Sequence, residues 1–190
     1  MTLLILGLVI FLGVHCVSIV APGWRDASAV RLGEKPWKGL YSLVSIAGFV
    51  LLIYGYGLAR QQPVVLYTPP TAMRHIALLL MLPVFPLLLA AYLPGRIKAK
   101  LKHPMLAAIK LWALAHLLAN GTAHDVLLFG AFLAWAVADR ISMKHRLQRP
   151  LPGAPPGPAN DVIAVVAGLV LYVVFVLWGH RWLIGVSPLG

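Results

Sequence analysis

Long runs of apolar residues constrain the fold of this chain more than any other feature. The first run begins at Leu3 and continues almost without interruption to Pro22, close to the roughly 20 residues that a helix needs to cross a bilayer. A membrane β-barrel would show short segments of alternating polarity instead. With 61% hydrophobic and 11% charged residues, the chain has too little polar surface for a water-soluble globule. The sequence therefore predicts an all-α, polytopic membrane helix bundle.

The apolar runs predict about six transmembrane helices. Each run is bounded by proline, glycine or charged residues, which mark where a helix ends and a connection begins. We expect the lipid bilayer to surround these helices, and we find no internal repeat. The predicted spans are residues 2–21, 39–59, 75–93, 104–120, 123–140 and 161–178.

The fourth span carries polar residues that lipid disfavours. Pro104 fits its first turn, and Gly121 fits the position just past its end. Ionisable residues inside a membrane helix are candidate functional residues. His116, about 18 Å beyond Pro104 at 1.5 Å per residue, is the best single candidate. Lys110 lies about 240° around the helix from His116, so we expect it to snorkel inward or to pair with Asp139.

Local signals predict how the other segments connect. Residues 22–38 are too polar to span and should form a loop, part of it as an interfacial helix, and residues 94–102 should form a short basic connection. Pro83 and Pro86 should kink the third span and leave carbonyls for a neighbouring side chain or ligand. Tyr54 and Tyr56 are expected near the lipid headgroups.

The later helices have their own start signals. Thr122 is predicted to cap the fifth helix with Asp125 in its first turn, so that the fourth and fifth helices form a tight hairpin. The basic, proline-rich segment 144–158 is predicted to be a mobile connection. Asn160 or Asp161 is expected to cap the sixth helix, and the tail after Gly179 should lie at the interface.

The net charge of +11 is concentrated in the connections between apolar runs. This pattern indicates membrane orientation rather than binding to nucleic acid, because no domain remains to present a groove-reading element. With six spans, three connections on one side carry 12 basic residues and the other side carries 3, which predicts that both termini are periplasmic. The 12 are Arg25, Arg31, Lys35, Lys38, Arg96, Lys98, Lys100, Lys102, Arg140, Lys144, Arg146 and Arg149.

Two histidines on separate predicted helices, His15 and His116, form the candidate cofactor site. Neutral imidazoles that face each other can ligate a metal or both faces of a haem iron. Zinc is less attractive, because four protein ligands are hard to assemble from the intramembrane residues. Cys16 and His103 are alternate ligands. Asn120 and Asp125 are candidate hydrogen-bond partners that would orient the His116 imidazole.

Several segments of the chain resemble motifs of the NnrU family of bacterial membrane proteins. The resemblance covers nearly the whole chain and includes His15, Arg31-Leu32-Gly33-Glu34, Lys38-Gly39-Leu40-Tyr41-Ser42-Leu43, Gly55-Tyr56, Ala59-Arg60, His103-Pro104 and Leu111-Trp112-Ala113-Leu114-Ala115-His116-Leu117-Leu118-Ala119-Asn120-Gly121.

This resemblance implies one NnrU-like transmembrane domain over residues 1–190, in the bacterial inner membrane. The family includes proteins associated with nitrite and nitric oxide metabolism and is similar to the plant 15-cis-zeta-carotene isomerase. That isomerase is a haem b enzyme whose axial histidines match His15 and His116. Its motif has a redox-dependent cysteine ligand three residues before the second histidine, where this chain has Ala113.

The leading interpretation is therefore a haem b-binding integral membrane protein of the NnrU type. It is either an enzyme like the isomerase, acting on an apolar, lipid-soluble substrate, or a redox accessory in nitrite and nitric oxide metabolism. One alternative is a membrane methyltransferase of the isoprenylcysteine type, which shares the His103-Pro104 entry to a late helix; those enzymes have paired acidic residues at the helix end, and residues 139–146 contain no Glu. The other is a cofactor-free membrane scaffold in which the histidines only join helices.

Overall fold

A computed structural model describes residues 1–147 and 152–190. This part of the chain is helical, and its one extended pairing is an isolated bridge between Val65 and Thr122. The prediction of an all-α fold is confirmed. In chain order the helices are α1 (Thr2–Val20), α2 (Pro22–Leu32), α3 (Glu34–Ala59), α4 (Thr71–Tyr92), α5 (Arg96–Leu101), α6 (Pro104–Ala119), α7 (Ala123–Ser142) and α8 (Asn160–Ile184).

Four helices in the described residues, α1, α3, α4 and α8, are long and apolar enough to cross a membrane. The chain is thus a multi-pass membrane protein, but the predicted count of about six spans is not exact. Helix α6 is apolar and has only 16 residues. Helix α7 has 20 residues but contains the charged residues Asp125, Asp139 and Arg140. Because of these charges, α7 is not among the four helices that are apolar enough to cross a membrane.

Residues 22–32 form a complete helix, although most of this segment was expected to be a loop. Pro22 lies in the first turn of α2, where its missing N–H costs nothing. Gly33, with φ of 86°, separates α2 from α3, because this backbone conformation is readily adopted only by glycine. Helix α3 therefore begins at Glu34 rather than at residue 39.

Helix α4 is broken where the two prolines were expected to kink it. Its two parts are Thr71–Met81 and Val84–Tyr92, because proline has no N–H to continue the helical ladder. The Tyr172 hydroxyl of α8 donates to the Leu78 carbonyl at 2.9 Å. The Leu78 carbonyl also accepts the Leu82 N–H at 3.2 Å, so it is not one of the carbonyls that the prolines leave without a helical donor, and the predicted use of those carbonyls stays a prediction.

The segment 94–102 contains a short helix, α5, rather than only a connection. The Asp161 carboxylate accepts from the backbone N–H groups of Arg96 at 2.7 Å and Ile97 at 3.1 Å. Asn160 donates to the Pro94 carbonyl at 2.8 Å. These two residues therefore stabilise the start of α5 and do not cap α8, whose N-cap position is Ala159.

Helix α8 extends beyond the predicted end at residue 178. A π-helical turn over Phe175–Gly179 leads into a final turn that ends at Ile184, and Gly185 then leaves the helix with φ of 78°. Within the predicted connection 144–158, residues 148–151 and hence Arg149 lie outside the described residues.

By contacts, the described chain divides into two compact units. The first consists of Met1–Tyr67 and Thr122–Leu147, and α1 packs against α3 and α7 within it. A Cβ added at Gly55 would lie only 2.6 Å from the Leu3 carbonyl carbon. Small residues allow membrane helices to pack backbone to backbone in this way.

The second unit consists of residues 68–121 and 152–190. Within it, the C-terminal half of α4 packs against both α6 and α8. Gly168 of α8 lies against the backbone of Pro86, where an added Cβ would approach the Pro86 Cα to 2.5 Å. Fully buried alanines fill much of this interior, namely Ala90, Ala91, Ala108, Ala113, Ala115 and Ala164.

Candidate functional site

His15 lies in α1 of the first unit with a defined ring orientation. Its Nδ1 is 2.6 Å from the carbonyl oxygen of Phe11, one turn earlier. A carbonyl oxygen can only accept, so Nδ1 carries the proton and Nε2 carries the lone pair of the neutral ring. This is the arrangement in which histidine presents Nε2 to a metal while its other nitrogen is held by a backbone carbonyl.

Aromatic side chains from α1, α3 and α7 surround the His15 ring. The Phe11 ring centroid is 4.4 Å away and the Tyr41 centroid 5.3 Å. Trp135 of α7 is perpendicular to the imidazole, at 5.8 Å and 89°. Two further rings, Phe49 and Phe132, each lie 5.8 Å from Phe11. His15 is therefore half-buried in a largely aromatic environment within its unit.

The indole N–H of Trp135 has no hydrogen-bond acceptor among the described residues although its nitrogen is buried. Leaving a buried donor unsatisfied costs about 1–3 kcal/mol. The donor belongs to a ring that contacts His15. The surroundings of His15 thus contain a buried donor that has no acceptor among the described residues.

His116 lies in α6 of the second unit and repeats the geometry of His15. Its Nδ1 is 2.8 Å from the Trp112 carbonyl oxygen, so Nδ1 is again the protonated nitrogen. The Trp112 ring centroid is 5.4 Å from the imidazole. Asn120 occupies the C-cap position of α6 and donates its backbone N–H to the His116 carbonyl at 2.8 Å.

The alternate iron ligands lie on the same two helices. Cys16 follows His15 in α1 and is half-buried, and His103 is the N-cap residue of α6, ahead of Pro104 in its first turn. Within residues 1–147 and 152–190, no group of three or more His, Cys, Asp or Glu residues could hold a metal ion. An axial haem pair needs only two ligands. Because His15 and His116 belong to different units, their binding to a single iron stays a prediction.

A buried polar cluster, which we define as Tyr56, Thr122, His124 and Asp125, lies in the first unit. Asp125 accepts from the Tyr56 hydroxyl at 2.6 Å and from the Thr122 hydroxyl at 2.5 Å. The His124 ring nitrogens lie 3.0 and 3.2 Å from the Thr122 oxygen, so a ring N–H can donate to it. The side chains of His124 and Asp125 are buried. Both oxygens of Asp125 accept a hydroxyl hydrogen bond, and one ring N–H of His124 can donate to the Thr122 oxygen.

The polar cluster was not foreseen from the sequence. Thr122 is the N-cap residue of α7 as predicted, but its hydroxyl donates to Asp125 and makes no bond to a backbone N–H. Both carboxylate oxygens of Asp125 accept hydrogen bonds within the cluster. The suggestion that Asp125 orients the His116 imidazole stays a prediction. The sequence did contain a signal that Tyr56 faces the protein interior. Tyr54 and Tyr56 are about 200° apart around α3, so both cannot face lipid, and only Tyr54 is exposed.

Asp139 was one predicted partner for Lys110. In the structure its carboxylate pairs with Arg146 of the same unit, at 2.5 Å between Nη2 and Oδ1. Lys110 is half-buried in α6 of the second unit. The snorkelling of Lys110 and its pairing with Asp139 therefore both stay predictions.

Comparison with known protein families gives a match over nearly the whole chain. The family model described as NnrU protein matches residues 3–188, which includes both histidines and the polar cluster. No curated protein and no solved structure gives a significant match. That residues 1–190 form a single domain stays a prediction.

Proposed function

The chain belongs to the NnrU family, and from this premise we propose that it is a haem b-binding protein of the bacterial inner membrane. We further propose that it is a redox accessory in nitrite and nitric oxide metabolism. When bound, haem would supply one-electron chemistry. The roles of the chain are to hold the cofactor through His15 and His116 and to keep water away from it.

The observation that carries the proposal is the shared geometry of the two histidines. In each, Nδ1–H donates to the carbonyl four residues earlier, at 2.6 Å for His15 and 2.8 Å for His116. These bonds fix the tautomer and ring orientation and increase the basicity of Nε2. A single histidine could adopt this geometry without a ligand, but here it is adopted by both of the histidines that the sequence resemblance aligns with the haem ligands of the isomerase.

The surroundings of His15 fit a large aromatic cofactor. Its neighbours are rings, which pack well against a flat macrocycle, and the buried Trp135 N–H lacks an acceptor among the described residues. Haem b brings carboxylate acceptors and a large apolar surface. The residues present therefore fit the group in their chemistry, with His15 and His116 as its ligands.

Ala113 favours a redox accessory over an isomerase-like enzyme. The resemblance places the switchable cysteine ligand of the isomerase at this position, and Ala113 is fully buried in α6. Alanine cannot ligate iron. An iron with two fixed histidine ligands suits electron transfer, whereas an isomerase would require one ligand to leave.

We propose that both termini are periplasmic. The proposal takes α6 and α7 either as two crossings or as none, in addition to the four apolar spans. The number of crossings is then even, and the termini lie on the same side. The basic connections then lie together on the opposite side, which the positive-inside rule assigns to the cytoplasm.

The haem content of purified variants tests the ligand assignment. His15→Ala and His116→Ala should each lower haem occupancy several-fold or convert the iron to high spin, because each removes one axial ligand. Two matched controls should retain haem: Lys110→Met, which changes a polar residue of the same helix as His116, and His75→Ala, which removes an exposed histidine. Equal haem content in all four variants would contradict the assignment and favour a cofactor-free scaffold.

A second experiment tests the metabolic role. In cells that lack the protein, nitrite or nitric oxide turnover should slow, and the wild-type chain should restore it. The His116→Ala chain should fail to restore turnover when it is produced at the same level in the membrane. Full restoration by His116→Ala would contradict a redox role for the bound haem.

A further inference from the structure

A cavity of about 510 Å³ opens in the first unit, where the end of α1 meets α2 and the start of α3. The residues that line the cavity change from polar to apolar along α1. Ser18 lies at the end nearer the α1 C-terminus, and Val14 lies one turn, or about 6 Å, deeper. Val44 of α3 also contributes to the apolar part. The cavity is therefore polar at one end and apolar at the other.

The polar end of the cavity carries Arg25 and two tryptophans. The Arg25 side chain is only 19% exposed, and its guanidinium lies 5.9 Å from the centroid of the Trp37 ring. Trp24 contacts Trp37 edge to face at 5.8 Å and is itself 61% exposed. Tryptophan with an exposed edge is typical of the lipid headgroup level. Arg25 is thus held beside a pair of tryptophans, the residue type that membrane proteins favour at the headgroup level.

Two carboxylates lie near the cations of this cavity. Asp26 contacts Arg25 Nη1 at 3.1 Å, and Glu34 contacts the Lys38 ammonium at 2.7 Å. A guanidinium has five N–H donors, so one contact with Asp26 does not exhaust it. The segment 22–38 also contains Arg31 and Lys35 and is positive overall. Within the cavity, an anionic ligand is therefore favoured by the N–H donors of Arg25 that Asp26 does not use.

We propose that this cavity binds an anionic phospholipid of the surrounding membrane. Arg25 would bind the phosphate, because guanidinium donors match phosphate oxygens in geometry and charge. The acyl chain would lie along the valines at the apolar end. A small inorganic anion would leave this apolar end unfilled, and a neutral lipid would not use the positive charge. The cavity shares Tyr41 with the surroundings of His15, but neither candidate haem ligand lines it, and the charged end that binds the phosphate does not depend on haem.

Lipid binding to the purified full-length chain tests the proposal. The probe is phosphatidylglycerol, compared with phosphatidylcholine, and the readout is the amount of lipid that stays bound in native mass spectrometry. The wild type should retain phosphatidylglycerol in several-fold preference. Arg25→Gln should lose this preference, and Arg25→Lys should keep part of it. Arg31→Gln is the matched control, because Arg31 is an exposed cation of the same helix that does not line the cavity; it should behave like the wild type.

A second readout reports on the cavity itself. In a chain whose other four tryptophans are replaced by phenylalanine, phosphatidylglycerol with brominated acyl chains should quench the fluorescence of Trp24 and Trp37, and much less when Arg25→Gln is added. Inorganic phosphate at the same concentration should have no effect. Equal losses in Arg25→Gln and Arg31→Gln, or equal quenching by brominated phosphatidylcholine, would overturn the proposal, and so would displacement of the lipid by inorganic phosphate.

The haem proposal and the lipid proposal can be disproved independently of each other. His15→Ala should leave the phosphatidylglycerol preference unchanged, and Arg25→Gln should leave haem occupancy unchanged. If Arg25→Gln lowers haem occupancy while lipid retention stays at the wild-type level, the cavity serves the cofactor and the lipid site is wrong.

Discussion

The hydroxyl of Tyr56 donates a 2.6 Å hydrogen bond to the carboxylate of Asp125, which lies 69 residues later in the chain. This bond joins the end of α3 to the start of α7 within the first unit. The backbone supports the same junction, because the Ala123 N–H donates to the Val64 carbonyl at 2.8 Å. The buried polar cluster therefore fixes how α7 packs in this unit.

Replacing Tyr56 with Phe should destabilise the protein, because it leaves one oxygen of a buried carboxylate without its donor. We expect a loss of about 1 kcal/mol, typical of a hydrogen bond between membrane helices, measured as a lower thermal unfolding midpoint in detergent. Tyr54→Phe is the matched control on the same helix, since Tyr54 is 59% exposed, and it should unfold like the wild type. An equal midpoint for all three proteins would show that the bond does not stabilise the fold.

Close packing of α1 and α3 gives a second prediction. Gly55→Ala should disrupt the pair, because the added Cβ would lie 2.6 Å from the Leu3 carbonyl carbon and 2.7 Å from the Leu4 Cα. Overpacking of this kind typically costs about 1–3 kcal/mol. Gly57→Ala adds the same methyl group two residues away, where nothing lies within 4 Å. Thermal unfolding should therefore separate the two variants, and identical midpoints would contradict the packing.

The sequence predicted the apolar helices well, because each helix is determined by residues that are close together in the chain. Residues 2–21 were expected to form the first span, and α1 covers Thr2–Val20. Pro104 correctly marked the start of α6, since its backbone preference does not depend on the rest of the chain. Gly121 lies just past the end of α6, but the positive φ expected there is not observed, because the chain leaves the helix through the extended Asn120. The break in α4 followed in the same way from the chemistry of proline.

The sequence-based predictions were wrong or incomplete where contacts between residues far apart in the chain determine the local structure. Helix α5 has six residues, too few to be stable alone, and its start is stabilised by Asp161, which no local pattern could indicate. The bond between Tyr56 and Asp125 was missed for the same reason. His15 and His116 were identified because polar residues in apolar helices are conspicuous, but their ring orientations required the structure.

The Trp135 N–H near His15 provides a third prediction. Trp135→Phe keeps an aromatic ring and removes the buried donor that lacks an acceptor. If haem supplies that acceptor, the variant should retain less haem after dilution into detergent. Trp178→Phe changes an exposed tryptophan of α8 and should retain as much haem as the wild type. Unchanged haem retention together with higher stability in Trp135→Phe would show that the donor is simply unsatisfied.

Membrane topology can be measured with reporter fusions. A reporter that is active only in the cytoplasm should be inactive when fused after Gly190 and active when inserted near Lys98. The physical reason is the concentration of basic residues in the connections on one side of the membrane. Activity at Gly190 and inactivity near Lys98 would reverse the proposed orientation.

The absorption spectrum of the purified wild-type protein tests the central claim most directly. Protein produced with ample haem supply should carry b-type haem that organic solvent extracts, because the sequence has no Cys-x-x-Cys-His motif for covalent attachment. On reduction, it should show the sharp bands of six-coordinate, low-spin iron with two histidine ligands. Protein that is folded, purified from the membrane and without a Soret band would contradict the account.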